Sequence, residues 1–289
     1  MRLGADLPVC QHKDMDDRSK APFEMPDDLE PAEPIVPRDS STVIVLREAA
    51  ATLEVFMLER HIKSDFAGGA YVFPGGTVDA ADRDPALAGL VDGWEELAAR
   101  TDEDPDLVRA LAVCAIRETF EEAGILLARH DDGRPVQLDD PAWRDKRRAL
   151  ANREIDAVTV AKETGIRYAA DLLGFWQRWV TPVFAPRRYD TRFFVAVMPD
   201  GQTPLHDDVE TTDSTWVAPA DAIARGRSGE LVIIFPTRKT LESLEGLETT
   251  VSVFEAAKTR PTIPILPRFV MEDGEGHVYL PGDPNPHEP

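Results

Sequence analysis

The sequence predicts a mixed α/β fold whose strands pair in mostly antiparallel or mixed fashion. Three observations point there. Two β-branched runs, Ser41–Arg47 and Leu53–Arg60, are separated by a short connection and form a hairpin. A long helical pattern then runs between two punctuation marks, Pro105 and Gly124. Beyond it, strand-like and helix-like pieces follow irregularly, without the repeating βαβ spacing of a parallel doubly wound sheet.

Each element has a local reason. Residues 1–38 are rich in Asp, Glu and Pro, lack periodicity, and read as a disordered leader. After the hairpin comes Gly68-Gly-Ala-Tyr-Val-Phe-Pro-Gly-Gly-Thr-Val-Asp79. Its two glycine pairs bracket a short extended piece and let backbone turn sharply or approach a ligand. Helices start near Pro85 and at Pro105, each with an Asp before the Pro as N-cap. The second stops at Gly124, a natural C′ residue, and a strand resumes over Ile125–Ala128. Residues 141–164 look helical and charged. Trp179–Ala185 and Thr191–Met198 look like strands joined through Arg187-Arg188-Tyr189-Asp190. Thr215–Val217 reads as a strand, Pro219–Arg225 as a short helix, and Pro236–Leu247 and Thr249–Lys258 as further helices. The Pro-rich tail from Pro261 holds one strand-like piece, Arg268–Met271. The expected organisation is a leader (1–38), a domain (39–260) and an extension (261–289).

Composition excludes some functions. The formal net charge is −21, from 53 acidic against 32 basic residues. Nucleic acid and anionic membranes need basic surfaces, so neither is expected as the main partner. A small phosphorylated substrate remains compatible, because metal ions and a few arginines can supply positive charge. The two cysteines, Cys10 and Cys114, form no metal spacing and no disulfide framework, which fits a reducing, cytoplasmic compartment. No apolar run approaches a membrane span or a signal peptide.

The chemistry concentrates in Arg117-Glu-Thr-Phe-Glu-Glu-Ala-Gly-Ile125. At about 100° per residue, Val113, Ile116, Phe120 and Ala123 form one apolar stripe. Glu118, Glu121 and Glu122 fall on roughly the opposite face, with Arg117 the cation inside the cluster. Like charges at this spacing destabilise a helix by a few tenths of a kcal/mol per pair. A solvated acidic face is the bland explanation. A site for a hard divalent cation, which takes oxygen ligands and bridges to phosphates, is the functional one.

Phe73-Pro-Gly-Gly76 followed by this stretch resembles the Nudix hydrolases. Gly76 matches the first glycine of their box, and Arg117–Ile125 matches every fixed position of its second half, with Thr119 replacing an aliphatic residue. Two departures stand out. The Glu expected five residues after Gly76 is Asp82, and 34 residues rather than seven separate it from Arg117. The surplus, about 83–107, reads as an insertion that leaves the two halves adjacent in space. An interrupted box of this kind resembles the coenzyme A diphosphatases related to the peroxisomal enzyme of animals. Gly69-Ala-Tyr-Val-Phe-Pro-Gly-Gly, Trp179-Val-Thr-Pro and Arg188-Tyr-Asp-Thr-Arg-Phe-Phe194 share that resemblance, which spans about residues 40–245.

The resemblance implies a Nudix-type α/β/α sandwich with a mixed sheet. It implies hydrolysis of a pyrophosphate linkage, dependent on Mg²⁺ or Mn²⁺. Coenzyme A or its acyl thioesters are the leading substrates, giving 3′,5′-ADP and a phosphopantetheine species. NADH and ADP-ribose are the alternative substrates, and a non-catalytic nucleotide-sensing module the alternative class. Glu118, Glu121 and Glu122, with Gly76 and Asp82, are the expected metal contacts, and Arg117 orients the glutamates. The general base comes from the helix or from a distant loop, where Glu210 is the candidate. Arg60, Gly75, Gly76, Arg187 and Arg188 are the candidate substrate contacts, the two adjacent arginines for a 3′-phosphate. A homodimer is compatible with the family, though no interface signal is visible in the sequence.

Overall fold

The computed structural model of the 289-residue chain describes residues 35–62, 67–205, 211–272 and 275–283. Most of the expected leader, and Glu210, therefore lie outside the described residues.

The first hairpin forms as expected. Strands β1 (Arg38–Ala49) and β2 (Thr52–Arg60) pair antiparallel with Ala49 opposite Thr52. The turn is only Ala50 and Ala51, both at positive φ (48° and 62°), the backbone sign pattern that matches strand twist in two-residue hairpins. Two short strands, β3 (Tyr71–Val72) and β4 (Gly75–Thr77), lie beside β2 and β1. Four more strands complete the main sheet: β8 (Gly174–Val180), β9 (Tyr189–Val197), β10 (Thr211–Val217) and β11 (Pro264–Ile265). Its order is β10-β2-β1-β9-β8-β11. The β1–β9 and β8–β11 pairs are parallel and the other pairs are antiparallel, so the sheet is mixed.

Alternation along β1 and β2 places a core on each side of the sheet. Val43, Val45, Phe56 and Leu58 face helix α2 (Pro105–Ala123). Ile44, Leu46, Val55 and Met57 face α5 (Pro219–Arg227), α6 (Phe235–Glu242) and α7 (Thr250–Thr259). Period-two side-chain placement thus yields the expected α/β/α sandwich. Each fully buried Leu, Ile or Phe in these layers stabilises by about 1.5–3 kcal/mol.

The insertion contains two 3₁₀ turns, Ala81–Arg83 and Pro85–Gly89, strand β5 (Val91–Asp92) and helix α1 (Trp94–Ala98). The helix expected at Pro85 is therefore a 3₁₀ turn, with Asp84 capping Ala86 N. β5 joins β6 (Ala128–His130) and β7 (Ile166–Ala169) in a small separate sheet of order β5-β7-β6. The charged stretch after it splits into α3 (Ala142–Ala151) and α4 (Ala157–Thr164). Arg192, almost fully buried, ties the insertion to the sheet: it pairs with Glu103 and, at 3.0 Å, with Asp39. In the tail, β11 joins the main sheet before the hairpin of β12 (Arg268–Glu272) and β13 (Glu275–Tyr279).

Candidate active site

Helix α2 carries the site, and its ends are set by sequence. Asp104 accepts hydrogen bonds from the N–H groups of Asp106 (2.8 Å) and Leu107 (3.2 Å), with Pro105 at the first helical position. Gly124, at φ 65°, ends the helix in the left-handed conformation that glycine adopts without strain. Thr119 is fully buried, and its hydroxyl donates to the Ala115 carbonyl at 2.7 Å. That internal bond satisfies the one polar atom that an aliphatic residue would not have brought.

Glu118 and Glu122 face the glycine strand β4, and Glu121 turns to Arg117. Glu122 is only 5% exposed and its Oε2 accepts from Gly75 N–H at 2.9 Å. Glu118 lies directly over Gly76: a Cβ on that glycine would come within 2.3 Å of Glu118 Oε1. Gly76 is therefore the condition for the carboxylate's position. Its carbonyl lies 3.5 Å from the buried thiol of Cys114. Glu121 takes both of its oxygens to Arg117 Nη1, at 3.3 and 3.2 Å. Its carboxyl is pushed up to about 7, chiefly by burial, with the Glu118 charge adding and Arg117 opposing.

Comparison with known proteins bears on this arrangement. The model of the NUDT19 Nudix domain matches residues 95–242, just over half the chain. The chain belongs to the Nudix hydrolase family. A solved structure of a Nudix hydrolase from Alicyclobacillus acidocaldarius is 30% identical, with a TM-score of 0.62, covering 79% of this chain and 98% of that one. Among curated relatives, the acyl-coenzyme A diphosphatase NUDT19 of Gallus gallus is 30% identical over 63% of this chain and 58% of its own length. The protein of the same name from Xenopus laevis is 28% identical over 62% and 56%. The chain thus spans little more than half the length of these curated relatives.

Arg117 is the hub of the Nudix helix. It donates to both oxygens of Asp82 (2.9 Å each), to Glu118 (2.9 Å), to Glu121, and to the Thr77 carbonyl (3.2 Å). Burial opposes its charge, but the Asp82 hydrogen bonds and the Glu118 charge outweigh burial and hold the guanidinium above its ordinary value. The expected adjacency of the two box halves is therefore real: 34 residues of chain separate a pair 2.9 Å apart. The expected metal role of Asp82 is corrected. Its exposure is 0%, both oxygens serve Arg117, and one also accepts from Asp79 N–H at 2.8 Å. Asp82 is the anchor that sets Arg117.

Arg188 is a second correction. It is buried, with donations to the carbonyls of Thr181 (3.1 Å) and Ile35 (2.6 Å). These bonds fix the β8–β9 loop and leave it no role as a phosphate contact. Arg187 beside it is exposed. Arg60, half-buried, follows Phe56 and Leu58 in period-two register, so it lies on the α2 side of the sheet. Gly75 packs its α-carbon against β1, where a Cβ would fall 2.3 Å from the Ser41 carbonyl oxygen.

Two participants were not legible in the sequence. Arg147 on α3 donates to the carbonyls of Glu121 (2.9 Å) and Leu205 (2.8 Å), satisfying an orphan carbonyl at the end of α2. Asp79 lies 4.0 Å from Arg117 Nη2. Neither has a spacing signal: both meet the site only through tertiary packing.

Proposed function

We propose that this chain is a metal-dependent pyrophosphohydrolase acting on coenzyme A or acyl-coenzyme A, releasing 3′,5′-ADP and a phosphopantetheine species. The observation that supports it most is the seating of Glu118 and Glu122 on Gly76 and Gly75, which fixes an acidic cluster beside the glycine strand. The names of the curated relatives support the coenzyme A class of substrate.

Among the described residues no three His, Cys, Asp or Glu side chains already converge as metal ligands. The donor chemistry nonetheless suits Mg²⁺ or Mn²⁺. Glu118, Glu121 and Glu122 are carboxylates, the hard oxygen donors such ions prefer. Glu121 is moreover desolvated, so a cation would offset the cost of its charge. These three residues would hold the ion, with Gly76 contributing the space for Glu118. When bound, the ion supplies charge neutralisation at the pyrophosphate and acidifies its water.

The remaining steps belong to the chain. Arg117, fixed by Asp82, orients Glu118 and Glu121. Arg60 and Arg187 bind phosphate oxygens, Arg187 the 3′-phosphate. Glu210 takes the proton of the attacking water. Hydrolysis breaks one phosphorus–oxygen bond of the pyrophosphate: water's oxygen joins phosphorus and the leaving phosphate retains the bridging oxygen. The cytoplasm is the proposed compartment and a homodimer the proposed assembly. Among the described residues no helix is long and apolar enough to cross a membrane.

The test is steady-state hydrolysis of coenzyme A, ADP-ribose and NADH side by side, with products identified by mass. Highest kcat/KM on coenzyme A with 3′,5′-ADP released supports the proposal. Preference for ADP-ribose or NADH rejects the substrate assignment, and binding without turnover of all three rejects the hydrolase.

A further inference from the structure

Helix α3 ends in an unusual way. The N–H of Glu154 bonds the Ala149 carbonyl at 2.8 Å and the N–H of Arg153 bonds the Leu150 carbonyl at 2.9 Å. This is the Schellman pattern, whose C′ position calls for the left-handed conformation and is usually glycine. Here that position is Arg153, at φ 59°. A side chain in this conformation is strained, and strained residues concentrate where function requires them.

The arginine's position supplies the reason. Its side chain is 76% exposed and reaches Asp79: Nη2 lies 3.3 Å from Asp79 Oδ1 and 3.2 Å from Oδ2. That pair spans 74 residues of sequence. Asp79 in turn lies 4.0 Å from Arg117, which contacts Glu118 and Glu121. The largely exposed guanidinium is thus linked to the acidic cluster through Asp79 and Arg117. An exposed ion pair of this kind contributes little to stability. An exposed guanidinium linked to a carboxylate cluster that would hold a phosphate-bound cation matches phosphate geometry.

We infer that Arg153 is a phosphate-binding residue of this site, taking an oxygen of a nucleoside diphosphate that the glutamate-held ion does not. Asp79 keeps it in place until the phosphate arrives. The inference rests on the pyrophosphate reading of the site, and nothing in the family box specifies it.

The test uses the full chain and four proteins: wild type, Arg153→Ala, Arg153→Lys and Arg153→Gly. ADP binding is measured by calorimetry without metal, with adenosine as the phosphate-free probe, and coenzyme A kinetics with Mg²⁺. Loss of a charge-assisted contact at an exposed position weakens ADP binding by about tenfold in the Ala and Gly variants, less in Lys, and leaves adenosine unchanged. KM rises by the same factor while kcat stays within about twofold, as for a remote binding contact. Arg153→Gly should melt about 2–4 °C above wild type, because glycine relieves the left-handed strain. Raised melting with weakened ADP binding is the signature of a residue kept for its ligand. Wild-type ADP affinity and KM in both the Ala and Gly variants overturn the inference, even if coenzyme A is turned over. Conversely, weakened ADP binding with no turnover by wild type rejects the hydrolase and keeps Arg153 as a phosphate contact.

Discussion

Replacing Gly76 by alanine isolates the contact on which the site is built. The new Cβ would lie 2.3, 2.4 and 2.7 Å from Oε1, Cδ and Oε2 of Glu118, where ordinary contact is 3.4–4 Å. The carboxylate must retreat by more than about 1 Å, and a misplacement of that size costs about 100-fold in rate, or about 2.7 kcal/mol of barrier. The fold should survive, because every close atom is the end of a flexible side chain and Gly76 is absent from the positive-φ residues. The assay is kcat for pyrophosphate hydrolysis alongside thermal melting. Gly76→Ala should lose about two orders of magnitude in kcat with Tm shifted by no more than about 4 °C. Glu118→Gln should lose activity comparably, and the double variant should lose little more, since both act through one carboxylate. Gly75→Ala provides the contrast. Its Cβ would meet backbone, the Ser41 carbonyl oxygen at 2.3 Å and Thr42 Cα at 2.7 Å, so it should fail by unfolding. Near-wild-type activity in Gly76→Ala, or fully additive losses in the double variant, would refute the seating of Glu118.

Two further outcomes follow from the buried charges. Arg117→Ala leaves Asp82 charged, buried and unpaired, which should destabilise by about 3–5 kcal/mol; Asp82→Ala added to it should recover part of that, measured by denaturant unfolding. An additive double loss would show that the pair is not coupled. Glu121 sets a pH dependence in the metal-free protein. Its folded value is raised from 4.5 to about 7, so its stability contribution is full below about pH 4.5 and is lost as pH rises through 7. Between pH 5 and pH 8, wild type should lose about 2–3 kcal/mol relative to Glu121→Gln, read from paired melting curves. Parallel stability profiles would mean that Glu121 is not desolvated as described.

What the sequence revealed and what it hid divide along physical lines. Helix α2 was legible because both its ends are local: Asp104-Pro105 and Gly124 act within one turn. The glutamate cluster and the glycine pair were legible as residue types, and their contact was implied by the interrupted box. The role of Asp82 was hidden because its partner is 35 residues away and the role depends on burial. Arg188 looked like a phosphate contact because an arginine pair in a turn reads as exposed, whereas the chain buries it against two carbonyls. The strand expected over Trp179–Ala185 lies earlier, at Gly174–Val180. Pro182 has no N–H to give a ladder, so pairing stops before it. The charged stretch 141–164 broke at Arg153, a left-handed residue that no helix propensity announces. In β4, Gly75 and Gly76 have no strand propensity and are held extended by pairing with β1.

The account's central claim is that the glutamates of α2 hold a divalent ion for pyrophosphate hydrolysis. The most direct test is coenzyme A hydrolysis across a Mg²⁺ and a Mn²⁺ titration, for wild type and for Glu121→Gln with Glu122→Gln. Wild type should require the ion and release 3′,5′-ADP, and the double variant should lose turnover by several orders of magnitude at every metal concentration. Full metal-dependent activity in the double variant would contradict the claim.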